Sequence, residues 1–273
     1  MGIAAPSGDG YTGGMVPQSD PRDWPVIDMH CHVYSRGPVD AAGLALAARE
    51  HGVRRMVMLG DVVAFGEHPT TDQIRTINDR TAEVARLLPD MYVPFCFVNP
   101  ENPDSANRAE IGRRVREQGF RGVKLLATVN ARDRRLDPIM ESARDLGVPL
   151  LHHSWYNTLD EGTAQSNPGD IAELAARFPE VRIVMAHLGG ARVRGILDIR
   201  PHENVSVDTS GSQPLGELLE YAVQLLGADR VVFGSDAPGR DFSAQLGRVW
   251  GARLREADRR KILYRNAKRL LRL

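Results

Sequence analysis

Val26-Ile27-Asp28-Met29-His30-Cys31-His32 is the stretch on which the fold turns. Its apolar start reads as a buried strand, and it ends in two histidines two positions apart. A strand alternates its faces, so His30 and His32 point the same way, roughly 6–7 Å apart along the backbone. That spacing lets two imidazoles reach one cation. Three more segments end in the same manner. Val148-Pro149-Leu150-Leu151-His152-His153 closes on His153, Val181-Arg182-Ile183-Val184-Met185-Ala186-His187 on His187, and Arg230-Val231-Val232-Phe233-Gly234-Ser235-Asp236 on Asp236. Imidazole plus carboxylate is the ligand set of a catalytic zinc-type centre with an open position for water.

Outward from these four segments the pattern is regular. Strand candidates fall at 25–30, 54–59, 92–98, 120–126, 148–153, 181–186, 203–207 and 230–235. Amphipathic helical stretches separate them near 40–51, 72–87, 104–118, 135–146, 169–178, 190–199 and 214–226, with one or two more in 242–271. Asp72 and Asp104 are the expected caps of the second and third helices. Gly119, Gly147 and Gly227 stand where helices should end. Strands alternating with helices imply a parallel sheet with right-handed crossovers, and eight such units predict a closed (β/α)8 TIM barrel. An open doubly wound sheet is the alternative, but no glycine-rich dinucleotide loop follows the first strand.

The chain has 273 residues, and a bare barrel typically needs about 250. Residues 23–273 are therefore expected to form one barrel domain. Residues 1–22, rich in Gly, Pro, Ser and Asp, read as a flexible arm. They lack the basic start and apolar core of a signal peptide. The arm could order against a partner subunit, which leaves a homodimer open. Lys+Arg and Asp+Glu both number 35, so the charge balance points neither to nucleic acid nor to an anionic membrane. No run of about 18 apolar residues suggests a transmembrane helix. Cys31 and Cys96 form no close-spaced motif, and a reducing cytoplasm is the expected compartment. The expected partner is a small-molecule substrate. The basic end of the chain, including Arg259, Arg260, Lys261 and Arg269, reads as a solvated outer face.

In a barrel of this kind, functional groups gather where strands end at the C-terminal face. The joint placement of four histidines and an aspartate there is hard to obtain by chance. With it stand Gly119-Phe120-Arg121-Gly122-Val123-Lys124-Leu125, Ala186-His187-Leu188-Gly189-Gly190 and Phe233-Gly234-Ser235-Asp236-Ala237-Pro238. On these motifs the chain resembles the amidohydrolase superfamily, specifically its amidohydrolase-related branch, from Val26 to the C-terminus. The resemblance implies that His30, His32 and Asp236 bind a divalent metal, zinc first among the candidates, with one or two ions. Asp236 would also accept a proton from water on that metal. His153 would be a further ligand. His187 would either bind a second metal or orient the attacking water. Asp28 could orient ligands from behind or be structural.

Adjacent His152 and His153 face opposite ways in a regular strand, and the family pattern places His153 in the barrel mouth. Alternation also turns Lys124 inward. The resemblance implies that Lys124 could carry CO2 as a carbamate that bridges two metals; it could also pair unmodified with a substrate carboxylate, or reach out of the barrel. Trp155, Tyr156 and Asn157 follow strand five and could line a substrate pocket. Arg240 could bind a substrate carboxylate or phosphate, or form a surface ion pair. Asp208, Ser210 and Gly211 lie on the same rim, although the resemblance does not make Asp208 a usual ligand. His51, His68 and His202 read as structural or solvated. The leading expectation is a metal-dependent hydrolase of an amide, lactone or ester. The alternative is a metal-dependent decarboxylase of an aromatic or unsaturated acid. A non-catalytic barrel is disfavoured by the complete ligand set.

Overall fold

The computed structural model describes residues 24–34, 40–127, 129–156, 165–212 and 215–273. The arm at 1–22 and Asn157 lie outside them. Parallel strands run β1 (Val26–Cys31), β2 (Val53–Met58), β3 (Tyr92–Pro94), β4 (Cys96–Val98), β5 (Val123–Leu125), β6 (Leu150–His152), β7 (Ile183–Met185), β8 (Val205–Asp208) and β9 (Val231–Val232). They pair in the order β1-β2-β3 and β4-β5-β6-β7-β8-β9. The expected third strand, 92–98, is broken at Phe95, just after Pro94, a residue with no backbone N–H to give a ladder. Phe95 N–H still donates to the Met58 carbonyl at 3.0 Å, so the wall continues past the break. The other seam closes through Met29 N–H to the Phe233 carbonyl at 2.9 Å and Asp236 N–H to the His30 carbonyl at 2.7 Å. The result is the TIM barrel.

Helices α1 (Ala41–Glu50), α2 (Thr71–Leu87), α3 (Asp104–Gln118), α4 (Asp137–Leu146), α5 (Pro168–Arg177), α6 (Leu188–Ile199), α7 (Leu218–Leu226) and α8 (Phe242–Gly251) follow the strands. The basic end forms α9 (Glu256–Arg260), a π turn and α10 (Asn266–Leu271). Two expected caps move. Thr70 caps α2 in a reciprocal box with Gln73, and Asp72 sits in the first turn. Pro103 precedes α3, and Asp104 again occupies the first turn, where the helix dipole favours a carboxylate. Gly119 and Gly147 end α3 and α4 in the left-handed conformation, at φ 71° and 64°. The basic residues at the end of the chain brace it against its neighbours. Arg259 donates to the Val249 and Ala252 carbonyls. Arg260 lies 4.0 Å over the Trp24 ring, and Lys261 pairs with Asp229 at 2.8 Å.

Two apolar layers follow from strand alternation. Val26, Val123, Leu150, Ile183, Val205 and Val231 pack outward against the helices. Ile27, Met29, Val57, Phe95, Leu151, Val184, Ala186 and Val232 meet inside the barrel, with Leu270 and Leu271 of α10 packed among them. A Cβ on Gly122 would lie 2.3–2.7 Å from Phe95 ring atoms, so this glycine is what lets the ring fill the interior. Above this plug the inward positions become polar, and there the functional groups begin.

Candidate metal centre

β1 does not keep simple alternation. Asp28 stands opposite Met56 while Cys31 stands opposite Met58, so three residues on β1 span two on β2. The extra residue turns His30 and His32 inward even though Met29 is inward as well. It also separates Asp28 from the face of His30, which simple alternation would have them share. Asp28 is fully buried and accepts from the His30 N–H, the Ser235 N–H and the Ser235 hydroxyl. Burial pushes its carboxyl up to about 7 against those three donors. Its work is to tie β1 to the segment after β9.

On β6 alternation holds. Leu151 is inward, and His153, two residues on, lines the same cavity as His30, His32, His187, Lys124 and Asp236. His152 is completely buried, and its Nδ1 donates to the His153 carbonyl at 2.6 Å. His187 and Asp236 reach the cavity by a different device. Both have left-handed backbones, at φ 71° and 64°, a conformation uncommon outside glycine that concentrates at functional sites.

Three atoms converge. His30 Nε2 and His32 Nε2 are 3.3 Å apart. Asp236 Oδ1 lies 3.5 Å from the first and 3.7 Å from the second. The centre of this triangle is about 2 Å from every corner, the bond length of a divalent cation to imidazole nitrogen or carboxylate oxygen. The far side of each ring is engaged. His32 Nδ1 donates to the Gly60 carbonyl at 3.0 Å, which leaves the neutral ring bare at Nε2. His30 Nδ1 meets Asp208 Oδ2 at 2.8 Å. Nearby, His187 Nε2 meets His153 Nδ1 at 3.1 Å, and His153 Nε2 is buried with no hydrogen-bond partner among the described residues. Bare nitrogens aimed at a carboxylate, with no proton to share when the rings are neutral, fit a cation. His30, His187 and Asp208 also cluster closely, but the Asp208 oxygens already accept several protein donors.

The electrostatics agree for three of the four imidazoles. Burial, reinforced by the neighbouring His30, holds His32 and His187 well below the ordinary imidazole value. Burial and Lys124 lower His153 to about 3. Neutral imidazole is the form that binds metal. For His30, burial opposes the charge, but Asp208 outweighs it and the ring is held above its ordinary value. Burial raises Asp236, and it lowers Lys124 to about 8 although Asp236 and Asp208 pull the other way. Lys124 is only 4% exposed, so the sequence reading in which it reaches out of the barrel does not hold.

The cavity measures about 340 Å³. Val62, Val63, Leu126 and Ala127 line it with aliphatic groups, and Tyr34 and Glu67 line it as well. The Tyr34 ring stacks on His32, 5.6 Å between centroids and 6° from parallel. Two expected pocket residues do not line the cavity. The Tyr156 hydroxyl donates to Asp198 Oδ2 at 2.6 Å. Arg240 is exposed and donates to the Gly239 carbonyl. Trp155 touches the site from the side, its ring 5.8 Å from that of His187. His68 pairs with Glu101, and His51 Nδ1 donates to the Ala47 carbonyl.

The amidohydrolase family model matches residues 27–273. The chain belongs to the amidohydrolase family. It is 25% identical over 283 residues to a γ-resorcylate decarboxylase of Polaromonas sp., covering 82% of this chain and 85% of that one. The fold is shared with 5-carboxyvanillate decarboxylase of Sphingomonas paucimobilis, with a TM-score of 0.72, 17% identity, and coverage of 92% of this chain and 99% of that one. It is also shared with a dihydroxybenzoic acid decarboxylase of Polaromonas sp. with bound manganese and the inhibitor 2-nitroresorcinol. There the TM-score is 0.72 at 19% identity, with coverage of 91% and 97%. A family enzyme with a divalent metal centre is what these likenesses and the ligand triangle support together. Among the described residues no helix is long and apolar enough to cross a membrane.

Proposed function

We propose that this chain is a metal-dependent decarboxylase of a small hydroxylated aromatic carboxylic acid. The observation that carries the reading is the mixed lining of the cavity. Val62, Val63, Leu126 and Ala127 bring aliphatic surface to it, and Lys124, Asp236 and the imidazoles bring charged and polar groups. A flat ring suits the aliphatic groups, and its carboxylate and hydroxyl oxygens suit the charged and polar ones. The hydrolase expected from the sequence has no counterpart among the relatives described, which are decarboxylases. His30, His32 and Asp236 would hold the cation, with His153 and His187 beside it.

A divalent cation there would bind substrate oxygens and neutralise the charge that develops on them. Lys124, buried beside the ligands, supplies a positive charge for the substrate carboxylate. The aliphatic groups hold the ring and exclude water. Asp236, through the oxygen that does not face the cation, would take a proton from the substrate hydroxyl or from solvent and deliver it to the ring carbon that bears the carboxylate. The bond from that carbon to the carboxylate then breaks, CO2 leaves, and the electron pair returns to the ring, which regains its aromaticity. Manganese, the ion in the Polaromonas neighbour, is proposed ahead of zinc, since a carboxylate and imidazole set accepts both.

The test offers metal-loaded protein 2,6-dihydroxybenzoate and 5-carboxyvanillate beside aryl esters, lactones and anilides. CO2 release and acid production are followed in parallel. CO2 from a hydroxybenzoate supports the proposal. Turnover of an ester, lactone or amide with no CO2 from any acid replaces it with the hydrolase.

A further inference from the structure

Asp208 is fully buried at the end of β8 and is not a corner of the ligand triangle. One of its oxygens, Oδ2, meets His30 Nδ1 at 2.8 Å. The other, Oδ1, accepts from the His187 N–H at 3.0 Å, the Ser210 N–H at 3.0 Å and the Ser210 hydroxyl. Ser210 Oγ in turn lies 2.9 Å from His187 Nδ1 and 3.3 Å from His30 Nδ1. One carboxylate and one hydroxyl therefore touch the Nδ1 atoms of two histidines, one on β1 and one at the start of α6.

The proton positions follow by elimination. An ionised carboxylate only accepts, so His30 Nδ1 must carry the hydrogen it shares with Oδ2. The Ser210 hydroxyl has one hydrogen, and it points to Asp208 Oδ1. Its contact with His187 must then be one in which it accepts, and His187 Nδ1 also carries a hydrogen. We propose that Asp208 and Ser210 act as one clamp that keeps a proton on Nδ1 of both His30 and His187, reserving each Nε2 for the cavity. The clamp also sets the chain direction at His187, because Asp208 Oδ1 receives the backbone N–H of that left-handed residue. These are positioning residues. The inference rests on the proposed metal centre but not on which bond the enzyme breaks.

The two Asp208 oxygens are not equivalent, and this gives a sharp variant. In Asp208→Asn the amide has one accepting oxygen and one donating nitrogen. Three hydrogens converge on the Oδ1 side, so the amide oxygen must take that place. The amide NH2 then faces His30 Nδ1, which can only accept, and the His30 proton moves to Nε2 inside the triangle.

The experiment uses metal-free full-length protein with 15N-labelled histidine, read by long-range proton–nitrogen correlation, followed by manganese titration. Wild type is expected to show a proton on Nδ1 of His30 and of His187. Asp208→Asn is expected to move the His30 proton to Nε2 and weaken manganese binding about 10–100-fold, the range for residues that orient metal ligands. Ser210→Ala should release the preference at His187 alone and leave His30 as in wild type. A neutral Nε2–H form of either histidine in wild type overturns the clamp, and this spectrum decides even if a variant fails to fold. So does an Asp208→Asn protein that keeps the His30 proton on Nδ1 and binds manganese as wild type. Neither readout uses a substrate, so failure here is distinct from failure to release CO2.

Discussion

His30 and His32 meet through like nitrogens, Nε2 to Nε2 at 3.3 Å, whereas His153 and His187 meet through unlike ones, Nδ1 to Nε2 at 3.1 Å. The first pair has both far sides engaged, by Asp208 and by the Gly60 carbonyl. Neutral rings held that way have no proton to share, and Asp236 adds a third acceptor. In the second pair His187 Nδ1 is held by Ser210, so His153 Nδ1 can donate to His187 Nε2. Two pairs of the same residue type in one cavity are thus in different states. The first invites a cation, and the second is already joined by a proton. A metal is accordingly expected at the first pair, with the second pair joining only after His153 moves its proton.

The largest expected effect is at Asp236, the acid partner of the first pair. Asp236→Asn should lower the rate of CO2 release by about 10²–10⁴-fold, because an amide cannot deliver the proton. Turnover and metal content are measured on the same sample, and wild-type turnover at unchanged metal would remove Asp236 from the chemistry. Next come the two pairs set against each other. His32→Ala should weaken manganese binding by more than about 100-fold, beyond what a residue outside the ligand set costs, and His153→Ala by less. Titration of the two variants side by side checks the order, and the reverse order would dissolve the distinction between the pairs.

His152→Ala should leave metal affinity unchanged and lower stability by about 0.5–3 kcal/mol, since that side chain is buried outside the cavity. Denaturant unfolding alongside metal titration separates the two outcomes. The smallest effects belong to the residues that do not line the cavity. Tyr156→Phe removes the hydrogen bond to Asp198 and should cost about 1 kcal/mol of stability. Neither it nor Arg240→Ala should change kcat/KM by more than about twofold, as expected of changes away from the substrate. A larger loss in either would return that residue to the pocket.

Much of this was legible in the chain itself. Regular alternation of apolar strands and amphipathic helices is a local signal, so the barrel could be read from it. The inward turn of His153 follows from Leu151 by strand parity, and Lys124 follows from the outward Val123 and Leu125 that flank it. Of the two roles open to Asp28 the structure shows the structural one, and the choice was not legible because the bulge in β1 depends on pairing with β2, which no spacing within 26–32 discloses. Asp208 stood on the expected rim, yet its partners come from β1 and from the start of α6, far away in sequence. Only closure of the barrel brings them together. Tyr34 carried no local mark beyond its place two residues after His32. Tyr156 and Arg240 lie beyond strand ends, where the backbone no longer alternates and parity gives no direction.

The most direct test of the contrast between the two pairs is anomalous diffraction at the manganese edge from crystals of the manganese-loaded protein. The account predicts a peak at roughly 2.0–2.2 Å from His30 Nε2, His32 Nε2 and Asp236 Oδ1, the range of bonds from a divalent cation to nitrogen and oxygen ligands. A peak on His153 and His187 alone, with the triangle empty, would contradict it.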